Sequence, residues 1–174
     1  MESPVKHPLE AAVADAGPLI HLDELSCLNL LDCYSTVWVP RFVAYEAEKH
    51  RAGWKSRSPD SIKITDVPKA EVERLKVNLK TALDAGEIES IALWKRVPSA
   101  SIICDDLAAR RVAMEMGAPI IGTLGLVIKA AKQKRIELGT ALDLIRAIPD
   151  ITTLHVRRDL IEYAVSEIER RFAK

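Results

Sequence analysis

This 174-residue chain carries no net charge: Lys plus Arg and Asp plus Glu each count 25. A balanced chain is no general polyanion binder, so a nucleic-acid partner would have to be held by a local patch or through a metal. Long apolar runs are missing as well. None approaches the roughly 20 residues a membrane span requires. The N-terminal MESPVKHPLE also lacks a signal peptide's apolar segment, so a cytosolic chain is expected. Cysteine is scarce: Cys27, Cys33 and Cys104 form no Cys-x-x-Cys pair and leave one over in any pairing, which argues for reduced thiols. His7, His21, His50 and His155 lack zinc-ligand spacing. There is no Gly-x-Gly-x-x-Gly or Walker loop, and Gly122-Thr-Leu-Gly125 is too short to stand for either. Neither repeats nor a linker break the chain, so its length implies one domain with a sizeable core.

What is present is an alternation of short apolar runs and amphipathic stretches. The organising unit is SIICDDLAARRVAMEMGAPIIG, residues 101–122. Ile102-Ile103-Cys104 reads as a strand buried on both faces, and Asp105 and Asp106 follow it at once. Ala109, Val112, Ala113 and Met116 recur at helical spacing, Gly117 suits a left-handed stop, and Pro119-Ile-Ile-Gly122 begins another strand. Strands separated by one helix favour a parallel right-handed crossover, which sets the two acids at the carboxyl end of a strand, where open α/β sheets bind ligands.

The remainder follows the same alternation. Ala11 to Asp15 reads as a strand ending in an acid, with a helix over roughly residues 18 to 32 begun by Pro18. Thr36 to Val39 is a second strand, closed by Pro40 and followed by a helix that carries Glu46. The polar stretch 49–63 has loop composition, Ile62, Ile64 and Val67 alternate as in an edge strand, and Val72, Leu75, Leu79 and Ala82 mark a helix. Asp84-x-x-Glu87 opens a helix that closes at Val97-Pro98. Later come a helix from Gly122 to about Lys134, one capped by Thr140 and stopped by Pro149, a short strand at 151–156, and a final helix from Asp159 to Phe172.

Asp15, Glu46, Glu87 and Asp106, with Asp105 beside the last, thus fall on one edge of a parallel sheet. Crowded carboxylates raise one another's pKa and destabilise a fold unless a cation neutralises them. Hard oxygens suit Mg²⁺ or Mn²⁺, and such ions activate water for phosphodiester hydrolysis. Each acid has a structural reading too. Asp15 can cap a helix, Glu46 can pair with Lys49 or His50, Glu87 can close a capping box with Asp84, and Asp106 can be an N-cap with Asp105 favouring the helix dipole. The functional reading rests on their joint placement.

The segments VADAGPLIHL, VPRFVAYEAEKH, LDAGEIESIAL and IICDDLAARRVAMEMGAPIIGT resemble successive blocks of the PIN-domain family, closest to its short prokaryotic members. The resemblance implies a three-layer α/β/α sandwich with a mostly parallel sheet, a core over about residues 10–134 and a C-terminal helical extension over about 137–174. It also implies an Mg²⁺- or Mn²⁺-dependent ribonuclease similar to VapC-type toxins, acting in the cytoplasm as a homodimer silenced by a small antitoxin. Carried over by position, the metal-binding acids are Asp15, Glu46, Glu87 and Asp106, with Asp105 adjacent to the last and open as a ligand. RNA would be gripped by Lys49, Arg51, Lys55, Arg57, Arg110 and Arg111, which otherwise read as a solvated face. Gly17 stands where many members carry Ser or Thr, Glu87 replaces the commoner Asp, and Thr123 offers a hydroxyl near the strand ends. The alternative is a catalytically inactive PIN-like or receiver-like regulatory module, although a receiver's late-strand Lys is replaced by Gly122-Thr123 after Ile121.

Overall fold

The computed structural model describes residues 10–172. The polar N-terminal segment lies almost wholly outside the described residues. Five strands, β1 (Ala11–Ala14), β2 (Thr36–Pro40), β3 (Ile62–Thr65), β4 (Ser101–Ile103) and β5 (Ile120–Ile121), form one sheet in the order β3-β2-β1-β4-β5. Every pairing is parallel. Parallel strands need crossovers, and these are the helices α1 (Ala16–Glu24), α2 (Arg41–His50), α3 (Trp54–Arg57), α4 (Lys69–Asn78), α5 (Ala85–Trp94), α6 (Leu107–Glu115) and α7 (Thr123–Lys132). Two more, α8 (Leu138–Ile151) and α9 (Arg158–Phe172), complete the chain.

The period-2 alternation of β4 divides the interior. Ile103 joins Ala12 and Ala14 in a core shared with Leu126 of α7, Ile145 and Ile148 of α8, and Ile168 of α9. Ile102 and Cys104 point the other way, into a smaller core with Ile91 of α5 and Val112 of α6. Helices therefore cover both faces, as an all-parallel sheet demands. The strand order runs outward from β1 in both directions, so β1 and β4 flank the topological switch point, where a crevice opens beyond the strand ends. A receiver fold has the order 2-1-3-4-5; the order found here removes the receiver-like alternative.

Several elements differ from their sequence expectations. The helix expected over 18–32 is two pieces: α1 starts at Ala16 and ends at Glu24, Ser26 turns left-handed at φ 55°, and Leu28–Cys33 is a 3-10 helix. Pro18 lies within the first turn, where the missing N–H has no intrahelical partner to lose. The polar stretch 49–63 hides the four-residue helix α3, entered through Gly53 at φ 73° and pinned by buried Trp54, whose indole N–H donates to the Ala44 carbonyl at 3.3 Å. α4 stops before Ala82, and α5 ends at Trp94 rather than Val97. α8 begins before Thr140 and runs through Pro149, which sits in its last turn and lacks the N–H that would donate to the Ile145 carbonyl. No strand forms at 151–156. The N–H groups of Thr153 and Leu154 go to the Glu24 carboxylate at 2.9 Å and the Thr152 hydroxyl at 3.2 Å instead of to a neighbouring strand.

Candidate active site

At the switch point a cleft of about 450 Å³ is lined by the carboxylates of Asp15, Glu46, Asp84, Glu87, Asp105 and Asp106. Its lining holds no Lys or Arg among the described residues, but it includes His21, His50 and His155. Each acid arrives by a different route. Asp15 follows β1 and is fastened to β4 through its N–H, which donates to the Ile103 carbonyl at 2.9 Å. Glu46 comes from α2, after β2, and Glu87 from the first turn of α5. Asp105 and Asp106 follow β4 directly. Chain distance is large, yet the parallel sheet gathers all of them at one edge.

Asp15 is buried at 7 % exposure. Its Oδ1 accepts from the Ser90 hydroxyl at 3.2 Å, and its Oδ2 lies 3.9 Å from the Cys104 thiol. Burial pushes its carboxyl up to about 6; the Ala16 N–H and Ser90 hydroxyl pull it down, while Glu46 and Asp105 add repulsion. Glu87 is raised to about 7, again chiefly by burial, with Asp106, Asp15 and Asp84 repelling its charge. Glu46 is raised by burial and by Asp84, partly offset by His50 and Lys49. These are acids short of positive charge.

The structural readings are also present. Glu87 reaches back so that one oxygen, Oε2, accepts from the Asp84 N–H at 2.8 Å. Asp106 caps α6, its Oδ1 accepting from the Ala108 and Ala109 N–H groups at 2.8 Å each. Asp15 occupies the N-cap position of α1 without a side-chain capping bond, and Glu46 forms no ion pair with Lys49 or His50. Asp105 is the most heavily engaged. Oδ1 accepts from the Thr123 N–H at 2.8 Å, and Oδ2 from the Thr123 hydroxyl at 2.6 Å and from His21 Nδ1 at 2.8 Å. Thr123, the first residue of α7, thus clamps Asp105.

This distribution bears on a divalent ion. Glu87 and Asp106 each commit one oxygen and keep the other, Oε1 and Oδ2, without a hydrogen bond among the described residues. Glu46 makes no such bond. Its carboxylate lies so close to Gly86 that a Cβ there would collide with Oε2, so α5 is built to admit it. Asp105 has both oxygens occupied. The hard, anionic donor set fits Mg²⁺ or Mn²⁺. Among the described residues, no three Asp, Glu, His or Cys side chains already stand in a coordinating arrangement.

The cations expected to grip RNA divide into two groups. Arg51 and Arg57 are committed to buried Asp23, at 2.6 Å and 2.7 Å, and hold its carboxyl below the usual range. Arg110 donates to the Cys104 carbonyl at 2.8 Å, and Lys49 lies 5.0 Å from the Tyr45 ring centroid. Lys55 and Arg111 are exposed. None of the six lines the acidic cleft. Arg110 lines an adjoining, larger groove of about 810 Å³, walled by Leu107, Ile120, Leu124, Leu160 and Tyr163.

Sequence reasoning missed Ser90, His21 and His155. Ser90 lies three residues after Glu87 and so shares its face of α5, and His21 lies four after Gly17 on α1; both spacings were readable. His155 arrives on the irregular stretch before α9 and had no local signal. A model of the DUF3368 family, described as a PIN domain, matches residues 11–170. No curated protein and no solved structure matches the chain.

Proposed function

The chain belongs to the PIN-domain family, and from that premise we propose that it is an endoribonuclease dependent on Mg²⁺ or Mn²⁺, similar to the toxin half of a VapC-type toxin–antitoxin pair. The family supports a nuclease-type module, its members generally use divalent metals, and its nucleases bind RNA. The observation that carries the finer reading is the convergence of Asp15, Glu46, Glu87 and Asp106 on one cleft whose lining has no Lys or Arg. In this reading those four acids hold the ion. When bound, the ion supplies Lewis-acid charge at the phosphodiester and lowers the pKa of a water. The chain's own residues prepare the site: Ser90 orients Asp15, Gly86 admits Glu46, and Asp105 serves as a positioning residue through Thr123 and His21. Lys49, Lys55, Arg110 and Arg111 are the residues left to steer RNA, since Arg51 and Arg57 are tied to Asp23. The apolar groove beside the cleft suits the antitoxin or a second copy in a homodimer. No described helix is long and apolar enough to cross a membrane, and we assign the protein to the cytoplasm.

Incubation of single-stranded RNA with the protein and Mn²⁺ tests the proposal. Wild type is expected to cleave, and Asp15→Asn to lose cleavage. A second reading, a PIN relative kept for binding alone, is favoured by the helix-capping duties of Glu87 and Asp106. It predicts no cleavage with any divalent ion and a melting temperature indifferent to Mn²⁺.

A further inference from the structure

Asp105 and His21 form a pair to which the reading above gives a positioning role only. The His21 Nδ1 to Asp105 Oδ2 distance is 2.8 Å, and both side chains are 10 % exposed. Gly122 lets the carboxylate in, because a Cβ there would stand 2.6 Å from Asp105 Oδ1. A carboxylate only accepts, so its three neighbours, the Thr123 N–H, the Thr123 hydroxyl and His21 Nδ1, must all donate. In the neutral form of the ring, these bonds place the hydrogen on Nδ1 and the lone pair on Nε2. Nε2 has no hydrogen-bond partner among the described residues, and no side-chain nitrogen or oxygen sealed from solvent lacks one. Nε2 is therefore not sealed from solvent, and His21 is among the residues that line the cleft. A side chain at position 17 would begin 3.5 Å from Cε1, the carbon beside Nε2, and glycine leaves that edge clear.

An acceptor-only nitrogen beside carboxylates needs a donor. Phosphate and ether oxygens of a nucleic-acid strand accept only, and the donor that every internal ribonucleotide adds to its backbone is the 2′-hydroxyl. We infer that His21, oriented by Asp105, accepts the 2′-hydroxyl of the nucleotide bound at the acids and makes the cleft selective for RNA over DNA. The inference rests on the nuclease reading above and adds a specificity determinant to it. Hydrolysis by water does not consume the 2′-hydroxyl, so its effect is on recognition alone.

The test compares Mn²⁺-supported cleavage of a ribo-oligonucleotide with that of the same strand bearing a 2′-hydrogen at the cleaved nucleotide. Wild type is expected to prefer the hydroxyl by roughly tenfold, the worth of one net hydrogen bond. In His21→Phe the ratio falls toward one. Asp105→Asn does the same by another route. Its amide nitrogen donates to His21 Nδ1 and the Thr123 hydroxyl, which moves the ring hydrogen to Nε2 and turns the acceptor into a donor. Should either variant fail to melt cooperatively, Gly17→Val, whose Cβ would meet His21 Cε1 at 3.5 Å and Asp105 Cβ at 3.9 Å, must lower the ratio as well. A wild type that cleaves both strands equally overturns the inference. So do folded variants that lose both rates equally and keep the ratio, since that pattern belongs to proton transfer or to structure. A wild type that cleaves neither strand removes the nuclease reading itself and this inference with it.

Discussion

At Asp15 charge and burial conflict. Its carboxyl is raised from 3.8 to about 6, so over that interval the folded state binds a proton that the unfolded state has released. A raised acid makes stability greatest below the unfolded pKa and lowers it as pH climbs through the folded one. Glu87, raised to about 7, extends the window upward. The acids held low by arginines, Asp23 and Asp66, oppose this only below their ordinary range. Without divalent ions, the melting temperature should therefore fall between about pH 4 and pH 7, with Asp15 accounting for up to about 3 kcal/mol. Asp15→Asn should melt higher than wild type at pH 7.5 and show a flatter pH dependence by calorimetry. Gly86 supplies a second test. Gly86→Ala displaces the Glu46 carboxylate, a flexible tip that moves cheaply, while alanine improves the helix by about 1 kcal/mol. Melting should hold or rise while Mn²⁺ binding, followed by titration calorimetry, weakens.

At the scale of elements, the caps and the candidate ligands are the same residues. Asp106 satisfies two N–H groups at the start of α6 through one oxygen. Asp106→Ala should cost about 1 kcal/mol in denaturant unfolding, and Asp106→Ser should restore most of that because serine also caps. If Asp106 also holds an ion through Oδ2, neither variant recovers RNA cleavage. The capping and binding duties thus separate in two substitutions. A different economy governs α1, whose buried Asp23 anchors the turn after α2 and the end of α3 through Arg51 and Arg57. Its 2.6 Å to 2.8 Å bonds make these arginines scaffold. Arg51 and Arg57, which read as part of an RNA grip, are thus held at Asp23 and do not line the acidic cleft.

For the whole molecule, an ion that binds only the folded state stabilises it by mass action, about 2.7 kcal/mol at a hundred times its Kd. Mn²⁺ at saturating concentration should therefore raise the melting temperature of wild type and leave Asp15→Asn unmoved. The C-terminal helices belong to the same balance. Ala141, Ile145 and Ile148 of α8 are fully buried in the larger core beside Leu126 and Val127 of α7. Ending the chain after Lys134 strips that apolar cover and should abolish cooperative melting, read by circular dichroism.

Local chemistry was enough for the alternation of strand and helix, because β-branched runs such as Ile102-Ile103 and helical spacings such as Ala109, Val112 and Ala113 depend only on near neighbours. It also marked Asp15 and Asp106 as residues that follow a strand, and Asp84-x-x-Glu87 as a helix start. Local pattern failed where partners are remote: the break at Ser26, the buried anchor Trp54, and the stretch 152–157, where the Thr153 and Leu154 N–H groups go to Glu24 and to Thr152. The sequence by itself determined which acids are available and that a parallel sheet would carry them to one edge. Tertiary structure alone decided which oxygens remain open, that Asp105 is spent on Thr123 and His21, and that Arg51 and Arg57 serve Asp23, because hydrogen-bond partners 18 to 84 residues apart are chosen by packing and leave no trace in local composition.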